Sequence, residues 1–143
     1  MGDIQLKIFC TNIRSLRKNY DELLLTLEAA SVRGLEYDIL ALIETWISND
    51  NLNRFRINKY VEYIAPRTDG RRSGGVVLYV KKNLKITRSE ILNIAGANLL
   101  KIEIEYPGKQ YSSNSDNELA IYLIYRDCIS SRQRFVDGLE QII

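Results

Sequence analysis

Histidine is missing from this sequence altogether, and cysteine occurs only twice, at Cys10 and Cys128. With no imidazole and no Cys-x-x-Cys spacing, a zinc site is not indicated, and two cysteines so far apart make no disulfide framework. A reducing compartment follows. No apolar run approaches the roughly 20 residues that cross a bilayer, and the N-terminus lacks the apolar core of a secretory signal. These absences describe a soluble, intracellular protein without a membrane role. Internal repeats and low-complexity tracts are also absent. The glycine pair Gly74-Gly75 lacks the Lys-Ser/Thr and following helix of a phosphate-cradling P-loop, so a tight turn or close strand packing accounts for it.

What is present suits one globular domain. The chain has 143 residues, 45% of them apolar, enough for a real core. The net charge of +2 is unevenly spread: residues 66–101 carry eight Lys/Arg (Arg67, Arg71, Arg72, Lys81, Lys82, Lys85, Arg88, Lys101) against Asp69 and Glu90.

The stretch Tyr37-Asp-Ile-Leu-Ala-Leu-Ile-Glu-Thr-Trp46 organises the rest. Its apolar run, Ile39 to Ile43, is too short for a stable helix and reads as a strand buried on both faces. Glu44 ends the run at the strand's C-terminal end, where open α/β sheets place ligand sites. The same position equally suits the first solvated residue after a strand. Upstream, Ile4, Leu6, Ile8 and Cys10 alternate with Gln5, Lys7 and Phe9, predicting a strand that ends near Thr11-Asn12. Leu16, Tyr20, Leu23, Leu24 and Leu27 recur at helical spacing to about Ala30, and Gly34 closes that helix. Strand, helix, strand implies a parallel pair with a right-handed crossover. Asn12 and Glu44 then lie at the same sheet edge, each just past a strand.

Farther on, residues 48–58 read as a loop with a short helical turn around Leu52 to Phe55. Strands are predicted at Tyr60 to Ala65, Val76 to Val80, Ile86 to Leu92, Asn98 to Tyr106 and Leu119 to Ile124. Pro107 to Asn117 is a polar turn region. Tyr125 and Arg126 lie beyond the last strand, and Ser130 or Ser131 caps a helix with Phe135, Val136, Leu139 and Ile142 on one stripe.

In their order along the chain, Asn12-Ile-Arg-Ser-Leu-Arg-Lys-Asn-Tyr-Asp-Glu-Leu23, the Tyr37–Trp46 stretch, Gly74-Gly-Val-Val-Leu-Tyr-Val-Lys81 and Ile124-Tyr-Arg126 with the Phe135 helix resemble the endonuclease/exonuclease/phosphatase superfamily. The likeness is to the endonuclease domains of LINE-type, jockey-like non-long-terminal-repeat retrotransposons. The resemblance implies an α/β fold, the N-terminal half of a DNase I-like four-layer sandwich. It implies that Asn12 orients the scissile phosphate and the carboxylate network, that Glu44 is the acidic ligand of a catalytic Mg²⁺, and that Tyr125 contacts the phosphate. The residue types suit that chemistry. A hard cation takes carboxylate oxygen and retains waters, and it stabilises charge developing on a phosphoryl oxygen. Arg126, Arg71, Arg72 and Lys81 become candidate contacts to a DNA backbone, which supply affinity rather than sequence information. A nuclear location accompanies a DNA substrate.

Each residue also has a plain structural reading. Asn12 suits a turn, Tyr125 an ordinary strand position, the basic residues a solvated surface, and Trp46 packing in preference to base stacking. The sequence also departs from the family pattern. Neither the Gly-Asp-Phe-Asn motif nor the Ser-Asp-His motif occurs in it, so the residues that activate water are not supplied. Losing members of a cooperative catalytic set costs orders of magnitude in rate; the expectation is a chain that does not turn over alone. Half a sandwich also implies an uncovered apolar sheet face, and a homodimer packed through it. Three readings follow: part of a Mg²⁺-dependent DNA-nicking endonuclease, a domesticated non-catalytic module that binds nucleic acid or protein, and a phosphoesterase acting on a phospholipid or small phosphate ester.

Overall fold

Buried apolar residues place β2 (Ile39–Ile43) at the centre of the first sheet. In the computed structural model, which describes residues 5–67, 73–105, 118–126 and 131–142, Leu40 and Leu42 face a helix while Ile39 and Ala41 face a second sheet. β1 (Ile8–Asn12) pairs with β2 in parallel register. Between them α1 (Leu16–Val32) begins where Ser15 Oγ accepts the Lys18 N–H at 3.3 Å. It ends where Gly34, at φ +77°, donates its N–H to Ser31. That is the left-handed residue a helix C-terminus favours.

β1 starts at Ile8, later than the alternation from Ile4 suggests, and Asn12 is its last residue rather than the first beyond it. Ahead of Ile8 the chain is pinned by a side chain: the Asp38 carboxylate accepts the Lys7 N–H at 2.8 Å.

The first sheet runs β1-β2-β4-β3, with β3 (Tyr60–Ala65) and β4 (Val76–Lys81) antiparallel to each other and β4 antiparallel to β2. A 3₁₀ segment, Asn49–Phe55, replaces the expected shorter turn. β5 (Lys85–Ile94), β6 (Ala97–Glu105) and β7 (Glu118–Tyr125) form the second, antiparallel sheet. α2 (Arg132–Glu140), capped by Ser131 Oγ on the Arg134 N–H, packs against β5. Gly138 makes that packing close, since a Cβ there would fall 2.2 Å from Ile94 Cγ2.

The layers are therefore α1 with the 3₁₀ segment, the first sheet, the second sheet, and α2. Val76, Leu78 and Val80 from one sheet meet Leu100, Ile102, Ile104 and Leu123 from the other. Each such side chain contributes roughly 1.5 to 3 kcal/mol by leaving water. On the far face of the first sheet, Leu40, Leu42, Val77 and Tyr79 pack on Leu16, Leu23 and Phe55.

The expected bare sheet face, and a homodimer built on it, does not match this arrangement. The two sheets cover each other's apolar faces within one chain, and the outer face of the second carries the charge pairs Arg88–Glu90 at 3.0 Å and Lys101–Glu103 at 2.7 Å. Among the described residues, edge strands carry exposed apolar side chains, including Ile8 on β1 at 46% and Leu119 on β7 at 37%. The region predicted as a polar turn, residues 107–117, and Cys128 lie outside the described residues.

Candidate functional site

The parallel register pairs Asn12 with Ile43, so Asn12 and Glu44 share one sheet tip, a residue out of step. Asn12 is exposed there. At this tip the backbone leaves the ladder sharply: Glu44 lies at φ +52° and Trp46 at φ +58°. Non-glycine residues in that region cost on the order of 1 to 3 kcal/mol each and persist only where surroundings over-determine them. Here they do. The Ser15 N–H donates to the Glu44 carbonyl and the Leu16 N–H to Thr45's, both at 2.9 Å. The Thr45 N–H donates to Gly75 at 3.1 Å and the Trp46 N–H to Gly74 at 3.0 Å. The start of α1 and the start of β4 thus grip the same three residues, with Thr45 fully buried between Glu44 and Trp46.

Tyr125, the last residue of β7, reaches across from the second sheet. Its hydroxyl donates to Glu44 Oε1 at 2.6 Å, joining residues 81 positions apart in sequence. A carboxylate has two oxygens and about four acceptor sites, so this bond leaves Glu44 capacity for a cation.

Asn98 on β6 braces the same tip, and sequence reasoning missed it. It pairs in register with Tyr125. Its Oδ1 accepts the Gly75 N–H at 2.9 Å, and its Nδ2 donates to the Pro66 carbonyl at 3.1 Å. The signal was available: Asn98 occupies the same strand face as Leu100, Ile102 and Ile104, so its amide stands in a row of core residues. The glycine pair is explained by the same contact. A Cβ on Gly74 would fall 2.9 Å from Asn98 Oδ1 and 3.7 Å from Tyr125 Cε1.

The basic candidates divide. Arg126 adjoins Tyr125, and its guanidinium carbon lies 5.7 Å from the centroid of the Phe135 ring on α2, a cation–π arrangement. Lys81 is a correction. Because β4 runs antiparallel to β2, Val76 sits at the tip beside Ile43 and Lys81 lies at the opposite end. There it bonds Glu36 at 3.0 Å. That bond, with the charges of Lys81 and Lys59, holds the Glu36 carboxyl below its usual range. Arg71 and Arg72 lie outside the described residues. Trp46, read from the sequence as a packing residue, is a second correction: it is 39% exposed and follows buried Thr45 with a left-handed backbone.

Among the described residues no three His, Cys, Asp or Glu side chains cluster to hold a metal by themselves. A single carboxylate is consistent with Mg²⁺, which binds through one or two carboxylates and fills its remaining positions with waters and substrate phosphate.

Two sheets packed face to face and flanked by helices form a DNase I-like α/β sandwich, with a carboxylate and a phenol meeting at the sheet tips. Solved structures similar to the chain include D. rerio TDP2 complexed with single-strand DNA product (17% identity, TM-score 0.62, covering 98% of this chain and 54% of that one). The AP endonuclease LMAP from Leishmania major (19%, TM-score 0.57, 84% and 40%) and the Xenopus laevis APE2 catalytic domain (17%, TM-score 0.56, 94% and 50%) are also similar. The chain spans about half the length of these proteins. No protein-family model and no curated protein matches it.

Proposed function

We propose that this chain is an endonuclease-like domain of the LINE-type retrotransposon kind, and that it holds a Mg²⁺-bound DNA phosphodiester between Asn12, Glu44 and Tyr125. The 2.6 Å bond from Tyr125 to Glu44 carries the proposal. It joins the tips of two sheets, and a core alone does not require a phenol bonded to a carboxylate there. Support also comes from the superfamily fold, which D. rerio TDP2 uses with single-strand DNA product. In this reading Glu44 binds the cation while the Tyr125 hydroxyl keeps its carboxylate oriented. Asn12, exposed at the neighbouring strand end, donates its amide N–H to a phosphate oxygen. When bound, Mg²⁺ supplies charge neutralisation at the phosphoryl oxygens. Arg126 adds backbone affinity that weakens as salt rises. A DNA substrate makes the nucleus the place of action.

Binding without turnover is the second part of the proposal. It rests on the missing histidine and the missing Gly-Asp-Phe-Asn and Ser-Asp-His motifs, and it favours the non-catalytic nucleic-acid-binding reading for these 143 residues over the phosphoesterase one. Self-association is assigned to β1 and β7, which are edge strands of their sheets and as such suited to template pairing; a monomer in sedimentation at micromolar concentration removes that element. The main test is oligonucleotide binding with Mg²⁺. Glu44→Gln and Tyr125→Phe are expected to weaken it severalfold, and unchanged affinity in both overturns the site. Nicking of supercoiled plasmid that Glu44→Ala abolishes overturns the claim of no turnover.

A further inference from the structure

Trp46 is the only tryptophan in the chain, and its position is unusual for an apolar residue. Its neighbours Thr45 and Ile47 are buried, at 0% and 4% exposure, while Trp46 as a residue is 39% exposed. Exposed indole is unfavourable in water, and the backbone at this residue also adopts a left-handed conformation that a bulky side chain avoids. Neither feature helps folding. The backbone is held from outside: the Trp46 main-chain N–H is fixed to the Gly74 carbonyl at 3.0 Å, and a Cβ on Gly74 would lie 3.7 Å from the Tyr125 ring. The Trp46 backbone is therefore fixed two residues along the chain from Glu44 and one hydrogen bond from the glycine packed on Tyr125.

Resting on the phosphate-site reading, we infer that Trp46 is a stacking platform for a nucleobase next to the bound phosphate. The ligand class this selects is single-stranded or locally unpaired nucleic acid. A base inside a duplex has both faces covered by its neighbours and offers none to the indole. Stacking on an aromatic face tolerates any base, which suits a platform built on one ring.

The lone tryptophan makes the test direct. An oligo-dT of about ten nucleotides and an abasic oligonucleotide of equal length carry the same phosphates, and only the first has bases. With Mg²⁺ present, oligo-dT is expected to quench Trp46 fluorescence and to bind about tenfold more tightly than the abasic strand, the difference one stacked base confers. By anisotropy of labelled strands, Trp46→Ala should lose that tenfold preference and keep the abasic affinity, while Trp46→Phe retains part of it. Equal affinity of the unaltered protein for both strands, or an unquenched indole, overturns stacking, and needs no variant that folds. Glu44→Gln separates the two claims. If it weakens abasic binding while oligo-dT shows no preference, the phosphate site stands and the platform falls. If it leaves abasic binding unchanged, the phosphate reading itself fails.

Discussion

The two ends of the first sheet solve opposite problems. At the end where β4 finishes, Lys81 and Lys59 lie 3.0 and 3.6 Å from Glu36, and a cleft of about 500 Å³ opens between α1 and Tyr60. Its charges are already paired with one another. At the other end the Glu44 carboxylate accepts the Tyr125 hydroxyl at 2.6 Å. Of six non-glycine residues at positive φ among the described residues, four (Arg14, Ser15, Glu44 and Trp46) follow β1 or β2 at this tip. Volume therefore points to one end, and backbone strain to the other. Strain is the better guide, because a cleft follows from ordinary packing gaps whereas a strained backbone must be held against its own preference.

A pair of glycine substitutions gives the largest effects and tests this contrast. Gly75 and Gly34 both sit at positive φ, but a Cβ on Gly75 meets Thr45 Oγ1 at 3.0 Å and the Arg67 backbone nitrogen at 3.1 Å, and one on Gly34 meets nothing within 4 Å. Gly75→Ala is expected to destabilise by about 3 kcal/mol and Gly34→Ala by about 1 kcal/mol, read from urea midpoints. Equal losses would mean that the tip is no more constrained than the far end.

Asn98→Ala comes next, at about 2 kcal/mol, because it strips partners from the Gly75 N–H and the Pro66 carbonyl. It should also weaken Mg²⁺ binding. Loss of stability with metal affinity intact would reduce Asn98 to a purely structural clamp.

Between the two ends, Tyr79 donates to the Phe55 carbonyl at 2.6 Å, and Tyr79→Phe should cost about 1 kcal/mol at neutral pH. Burial raises the Tyr79 hydroxyl above its ordinary value of 10.0. Its contribution is therefore complete below about pH 10 and lost as pH rises through the higher folded value. The Phe variant should show a shallower alkaline decline in stability, and an identical decline would contradict the assignment.

The smallest effect belongs to Glu36→Gln. Its carboxyl is held low by the Lys81 hydrogen bond, so the contribution is present above the ordinary carboxylate range and lost as pH falls through the lowered value. Near neutrality the expected change is slight, and it should vanish in high salt because exposed pairs are screened. Oligonucleotide binding should be unchanged.

Local pattern explains which features were legible in the sequence. β3 is Tyr60–Ala65 as alternation and Pro66 predict, and the β1-α1-β2 crossover follows from a change in period from two to 3.6. Resemblance placed Glu44 and Tyr125 together, since no local rule joins residues 81 positions apart. Three features escaped. Lys81 was misplaced because a strand's composition does not carry its direction. Asn98 was passed over because a side-chain staple between sheets has no periodicity. Trp46 was read as packing because its left-handed backbone and its bond to Gly74, 28 residues on, are tertiary features with no local signal.

The most direct measurement is titration of Mn²⁺, a paramagnetic stand-in for Mg²⁺, into ¹⁵N-labelled protein in the presence of a short oligonucleotide. Amide signals at Asn12, Glu44, Thr45, Trp46 and Tyr125 should broaden first, and Glu44→Gln should abolish that broadening. Broadening centred on Glu36, Asp38 and Lys81, or unaffected by Glu44→Gln, would place the site at the wrong end and contradict the account.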